Sequence, residues 1–484
     1  MTTPVRYETV IGLEIHTQLA TRSKIFCGCP NRFGAAPNTQ ICPVCAAFPG
    51  VLPVLNQAVL EMAIMTGLAL HGEIRARNEF ARKNYFYPDL PAGYQISQFE
   101  LPIIERGHLM IELEGGVRRR IGITRAHMEV DAGKNLHEGI QGASWVDLNR
   151  TGTPLLEIVT EPDLRSAVET GVFLKKLRGL VRHLGVCDGN MEEGSFRCDA
   201  NVSIRPLGEH RLGTRAEIKN LNSIRNVMRA IDYEVERQID LVECGEAVVQ
   251  ETRLWDANQN HTRTMRGKEE AHDYRYFPEP DLPPVVIVPE RIAAIRARMP
   301  ELPDEKFARF QKDYGLSDYD AGVLTAEREM ADYFEAAVQA AQPADPKGVA
   351  NWVMVELLGR LNRAGQEIGD SPVVAASLGR LLRMMHDGVI SGKIAKTVFG
   401  HMWEGGGDPA RIVAEQGLVQ VSDQGAIEAE VERVLVAHPD KIAQYRAGKS
   451  QLLGFFVGEI MKAMRGKANP GVVNGVLKEK LERS

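Results

Sequence analysis

Five stretches between Tyr7 and Leu221 alternate between apolar residues and residues that bind ions or phosphates, which ties each of them to a strand with two unlike faces. In Tyr7 to Leu19, Ile11, Leu13 and Ile15 share one face, while Gly12, Glu14 and His16 share the other. The run Gly122 to Lys134 sets Arg125, His127, Glu129 and Asp131 against Ala126, Met128 and Val130. Pro154 to Pro162 sets Glu157 and Glu161 against Leu156 and Ile158. Ser195 to Arg205 alternates Phe196, Cys198, Ala200, Val202 and Ile204 with Arg197, Asp199, Asn201, Ser203 and Arg205. Last, Arg215 to Leu221 puts Arg215, Glu217 and Lys219 on one side. A solvated sheet face is the ordinary reason for such alternation. Here the polar set is His, Asp, Glu, Arg and Asn, the groups that hold hard cations and phosphates. A sheet face that gathers them predicts a site for ATP and magnesium.

A chain of 484 residues exceeds one ordinary core, so two to four domains are expected. Strand-like alternation dominates up to about Pro280, with helical spacing in Leu55 to Leu70 and Leu164 to Leu184. The prolines at 278, 280, 283, 284 and 289 mark a boundary, because proline continues neither a helix nor a central strand. Beyond them the texture is helical, with a start at Pro303-Asp304-Glu305 and apolar spacing in Asp320 to Ala341 and Asn351 to Gly365. Gly405 to Pro409 reads as a second linker. The expectation is an α+β chain with a β-rich domain over 1–293, a helical domain over 294–404 and a small helical tail over 408–484.

The overall charge of −6 is unevenly spread. From Lys441 to Ser484 there are nine Lys and Arg against three Glu, a net of +6, which suits a phosphate-rich partner. No run of about 18 apolar residues appears, so no membrane span is expected. The opening MTTPVRYETV lacks an apolar signal region, and a cytoplasmic location is expected.

Cys27, Cys29, Cys42 and Cys45 form two close pairs separated by twelve residues. Two such knuckles match a tetrahedral four-thiolate zinc site, structural because no coordination position stays open. Cys187, Cys198 and Cys244 lie alone and read as core residues. Gly448-Lys449-Ser450 resembles the end of a P-loop, but Ala443 stands where the motif needs its first glycine.

The segments VIGLEIH, RKNYFYPDLPAGYQISQ, VDLNRTGTPLLEIVTEPD, MEEGSFRCDANVS, EIKNLNS and DYRYFPEPDLPP resemble the B subunits (GatB) of the tRNA-dependent Asp/Glu amidotransferases. The resemblance covers essentially the whole chain. It implies a mixed or antiparallel β cradle related to the glutamine synthetase catalytic fold, then a helical domain and a tRNA-recognising tail. It implies partners too: the amidase of a heterotrimer, its small third component and misacylated tRNA. The implied reaction converts Glu-tRNA(Gln) or Asp-tRNA(Asn) to its amide with ATP, Mg2+ and glutamine-derived ammonia. Carried over by position, Glu14, His16, Glu129, Glu157 and Asp199 become the metal-side or phosphate-side residues. Lys83 matches a residue at the mouth of an ammonia channel, and Glu129 lies where channel and cradle meet. Arg197, Asn201 and Lys219 become nucleotide or substrate contacts. Where many members read HMEEDAGK this chain has HMEVDAGK, and Val130 points away from Glu129 and Asp131. A scaffold that merely positions charged tRNA is the rival reading. Its weakness is the acidic strand faces, which repel RNA and are costly to bury without cations.

Overall fold

The computed structural model describes residues 7–136, 145–266, 273–419, 424–464 and 468–482. The chain divides into two compact units, Met1–Leu302 and Pro303–Ser484.

The first unit is built on a nine-stranded sheet. In chain order its strands are β1 (Tyr7–Gln18), β2 (Glu73–Ile74), β3 (Ile104–Leu113), β4 (Val117–Val130) and β5 (Pro154–Thr160). They continue with β6 (Phe196–Pro206), β7 (Ala216–Lys219), β8 (Thr252–Asp256) and β9 (His261–Arg266). Their order across the sheet is β9-β8-β7-β6-β1-β5-β4-β3-β2. Every pairing is antiparallel except β7 with β8, which makes the sheet mixed. The five alternating stretches are thus β1, the second half of β4, β5, β6 and β7, five adjacent strands at the centre.

Three helices cover the apolar face. They are α1 (Gln57–Ala69), α2 (Ala167–His183) and α3 (Ile224–Glu243). Ser166 and Ser223 start α2 and α3 by accepting the amide hydrogens of Glu169 and Asn226, which satisfies groups a helix start leaves free. Phe173, Leu174 and Leu177 of α2, Val227 and Ile231 of α3, and Leu60 and Ile64 of α1 share one core with Ile11, Leu13, Ile15, Met128 and Ile158. Truncating a fully buried ring there, such as Phe173→Ala, costs about 3–5 kcal/mol. With one face committed to helices, the charged side chains of the five alternating strands emerge on the other.

A small sheet of Ala81–Asn84, Tyr94–Ser97 and Phe277–Pro278 closes the unit, and it joins residues from both ends of this unit's sequence. Buried Glu279 receives Arg82 Nε at 2.8 Å and Nη2 at 2.9 Å, and the Arg82 guanidinium lies over the Tyr94 ring.

In the second unit the named elements are helices. The run expected over 320–341 is broken into Asp318–Thr325 and Arg328–Ala341. The 351–365 run is a widened π turn at Trp352–Leu357 followed by Leu358–Ala364, stopped by Gly365 in the left-handed region at φ 64°. Around the expected glycine linker, Asp408 caps the helix Pro409–Glu415. Ile412 and Val413 of that helix are buried in one core with Val398, Phe399 and Met402. A separate core runs from Ile427 to Leu481. Packing therefore continues past Gly407 and changes only after Leu418. Among the described residues, no helix is long and apolar enough to cross a membrane.

Candidate active site

Register decides which polar side chains meet. His127 on β4 stands opposite Glu157 on β5, which stands opposite His16 on β1, which stands opposite Arg197 on β6. Because facing residues share a sheet face, the four form a row of alternating character across four strands. One step along, Glu14 faces Asp199.

His16 Nε2 lies 3.5 Å from Glu129 Oε1 and 3.4 Å from Glu157 Oε2. His127 Nε2 lies 3.3 Å from the same Glu157 oxygen and 3.8 Å from Glu129 Oε2. Glu129 and Glu157 are 2% and 6% exposed, so the charges interact at low effective dielectric. Burial alone would neutralise His16. The hydrogen bond and charge of Glu157, then the charge of Glu129, overcome it and lift the imidazole pKa to about 9, with Arg197 opposing. Burial likewise disfavours the Glu157 carboxylate, but His127 and then His16 hold it well below the usual carboxylate range. Ligand atoms of His16, Glu129 and Glu157 all lie within 4.8 Å of one another, close enough to share one cation.

The remaining expected residues sort into neighbours of this cluster. Glu14 accepts from Asn201 Nδ2 at 3.1 Å, and burial, then the charges of Glu157 and Glu217, raise its pKa against Lys219. Asp199 is paired with Lys219 at 2.9 Å, and Lys219 also reaches Glu217 at 2.9 Å. Lys83, on the small sheet, holds its ammonium 4.8 Å from the Tyr274 ring centre. Burial acts to discharge it, but Glu129, then Tyr276 and Glu157, keep its pKa above the ordinary lysine value. Arg197 is tied to Asp131 at 2.8 Å, while its Nε is buried without a hydrogen-bond partner.

Two residues were on the predicted face but not singled out. His127 bridges both glutamates, and its Nδ1 is buried without a partner. Asp131 collects Gln18 Nε2 at 2.9 Å and Arg197, with Arg150 Nε 3.7 Å away. The signal for both was the alternation itself, since His127, Glu129 and Asp131 are two residues apart. Beside Gln18 a cavity of about 620 Å³ opens, bounded by Arg150, Lys134 and Glu193.

The four cysteines form a second cluster with mutual ligand distances within 4.8 Å, and they could bind a metal such as zinc. Cys45 Sγ lies 4.0 Å from Cys29 Sγ and 3.9 Å from Cys42 Sγ. A tetrahedron with Zn–S bonds of about 2.3 Å needs sulfurs about 3.8 Å apart. The knuckle is joined to the sheet by Ile25 N–H donating to Gly152 O at 2.9 Å and Thr153 Oγ1 donating to Asn31 Oδ1 at 3.1 Å. Of the solitary cysteines, Cys187 and Cys198 are buried, but Cys244 is exposed. It caps the C-terminus of α3, where a helix leaves the sheet for solvent, and so it is not a core residue.

Comparison with known proteins is consistent along the chain. Residues 9–293 match the family described as the GatB/GatE catalytic domain, and residues 332–481 match the GatB domain. The chain is 62% identical over 478 residues to the B subunit of the aspartyl/glutamyl-tRNA(Asn/Gln) amidotransferase of Alkalilimnicola ehrlichii, covering 99% of this chain and 100% of that one. It is 60% identical over 478 residues to the protein of the same name from Thioalkalivibrio sulfidiphilus, with the same coverage. The Geobacter sulfurreducens protein of that name is 58% identical over 481 residues, with 99% and 100% covered.

Proposed function

The chain belongs to the GatB family, the B subunits of the aspartyl/glutamyl-tRNA(Asn/Gln) amidotransferases, and from that premise we propose that its polar sheet face activates the side-chain carboxylate of misacylated tRNA. The observation that carries the reading is the buried His16–Glu129–Glu157 cluster, with Lys83 as the nearby cation.

An ionised carboxylate is a poor electrophile, since no amine expels oxide from it. A carboxylate oxygen of the aminoacyl group attacks the γ-phosphorus of ATP, the bond to ADP breaks, and an acyl phosphate forms. The lone pair of ammonia then attacks the acyl carbon, phosphate leaves with the bonding electrons, and loss of a proton yields the amide. Glu129 and Glu157 would hold magnesium, with His16 joining once the cation displaces its proton and Glu14 and Asp199 at the edge of the set. Two carboxylates plus substrate phosphates match this ion's habits. Bound there, magnesium would supply positive charge to the phosphoryl oxygens.

This chain's own groups do the rest. Only neutral ammonia attacks, so a carboxylate at the cluster can take the proton of an arriving ammonium ion, and Glu129 is assigned that task. Lys83 stands on the ammonia side, where the charge of Glu129 helps keep its ammonium protonated. Arg197, with a free buried Nε, binds an anionic oxygen of the substrate, while Asn201 and Lys219 contact the nucleotide. The cavity beside Gln18 has a volume within the range of small-molecule sites and takes the aminoacyl end. The sheet forms a cradle of the glutamine synthetase kind, ammonia arrives from the amidase of a three-protein assembly, and the basic tail over 408–484 holds tRNA.

The test is ATP consumption by the purified assembly. It should require magnesium and misacylated tRNA together, and ADP should form in step with the amide. Turnover of ATP that ignores charged tRNA would overturn the reading. Offering Glu-tRNA(Gln) and Asp-tRNA(Asn) separately identifies the substrate.

A further inference from the structure

Lys24 is an anomaly on its own terms. Its side chain is fully buried at 0% exposure, and Nζ donates to Gln40 O at 2.8 Å and lies 3.6 Å from Cys45 Sγ. Those two are its side-chain partners among the described residues, and neither is a carboxylate. An ammonium taken out of water costs several kcal/mol unless an opposite charge stands beside it. The Gln40 carbonyl offers a dipole, which leaves the sulfur as the available anion. That sulfur already accepts the Cys42 amide hydrogen at 3.2 Å, a second donor suited to a thiolate. The alkyl stem has little freedom to swing away. A Cβ added at Gly152, which lies at φ +86°, would sit 3.3 Å from both Lys24 Cδ and Cys45 Cβ.

Four thiolates around one divalent cation carry two net negative charges, which a buried site must offset. We infer that Lys24 is the internal counter-cation of the four-cysteine centre, so that metal occupancy and the packing of residues 24–45 form one equilibrium. The inference rests on the cysteines holding a thiophilic divalent metal, zinc being the probe. With zinc bound, ammonium and thiolates satisfy each other. Without it, nothing gathers the four sulfurs against the buried Nζ, so the knuckle opens to let Lys24 reach water. Cation–cation repulsion between Lys24 and zinc is the opposing effect. It is outweighed because the loaded centre as a whole is anionic.

The experiment uses the full chain with Lys24→Met, which keeps the stem and removes the charge, and Lys24→Arg, which keeps the charge. Zinc retention is read against a chromophoric chelator, and melting is followed with and without zinc. Lys24→Met should hold zinc about 10–100-fold more weakly, the usual scale for a partner just outside the ligand set. It should also lose less stability on chelation than the wild type, because it has no ammonium to strand, while Lys24→Arg should retain zinc better than Lys24→Met. Wild-type zinc affinity in Lys24→Met, or an equal loss of stability in both proteins, would overturn the inference. If the wild type itself takes up no zinc, the metal reading fails first. Should Lys24→Met not fold, hydrogen exchange in the wild type decides. The amides of Lys24 and Ile25, bonded to Cys29 O and Gly152 O, must lose protection when zinc is withdrawn, and persistent protection refutes the coupling.

Discussion

Among the described residues, two clusters of side chains that could hold a metal lie in the first unit, and they are opposites. The cysteine cluster comes from 19 consecutive positions, Cys27 to Cys45, on tight turns outside the sheet. Its ligands are soft, its four positions are filled, and its neighbours are a buried lysine and a glycine. The glutamate–histidine cluster draws on positions 16, 129 and 157, carried by three different strands, and offers hard oxygens beside one imidazole nitrogen. The first arrangement can hold a cation but leaves no position for a substrate. The second offers three ligands, so a hard cation there would need further oxygens, such as those of phosphates. Local spacing builds the first cluster, while long-range register builds the second.

The contrast breaks most sharply at Glu129. Glu129→Gln should lower amide formation at least about 100-fold, the scale of a lost proton-transfer group, with zinc content and glutamine hydrolysis by the partner unaffected. His16→Ala should abolish ATP-dependent phosphorylation in the same way, read as ADP release. Equal loss of zinc in either variant would mean the clusters are not separate devices.

Removing zinc should do the reverse. At a zinc concentration about 1,000 times Kd the bound metal contributes about 4 kcal/mol, so chelation should lower Tm while the turnover of molecules that remain folded stays unchanged. Calorimetry beside single-turnover kinetics checks this. Inactivation without a change in Tm would place the cysteines in the chemistry.

A third intervention should leave both clusters intact. Cutting the chain after Leu418, where the core of the middle helices ends, removes the segment with the basic excess. Affinity for tRNA and its dependence on salt should both fall, while zinc content stays whole. A cut after Gly407 would also remove Ile412 and Val413 from that core, which confuses binding with stability. Of the nine cations counted in the tail, Arg465, Lys467 and Arg483 lie outside the described residues.

The smallest effect is expected at the edge of the reactive set. Asn201→Ala removes a hydrogen bond to Glu14, worth about 1.5 kcal/mol for a charged acceptor, and should raise KM for ATP roughly tenfold with kcat little changed.

Much of this was legible before any coordinates. Alternation located five central strands, because a period of two admits no other reading over such lengths, and the cysteine spacing placed the knuckle. What escaped has physical causes. Helix α3 hides because its inward positions include Glu234 and Gln238, both fully buried, Glu234 paired with Arg237 and Arg253 and Gln238 Nε2 donating to Val202 O, so the apolar period fails halfway. Strand β3 hides because Arg106 at φ 53° and Gly107 interrupt it, and an unbroken alternation is what identifies a strand. The tie of Arg197 to Asp131 escaped too, because a pairing set by register across strands is not encoded in sequence spacing.

The clasp between Arg82 and Glu279 has a consequence in time. The two residues are 197 positions apart, so the strand that carries Lys83 cannot be sealed until Glu279 has been made. At roughly 5–20 residues per second of synthesis that delay is about 10–40 s. The nascent chain therefore carries its four-cysteine segment early, while the strand of Lys83 waits for Glu279. On the function proposed above, a newborn protein seals that strand only when the first unit is nearly complete.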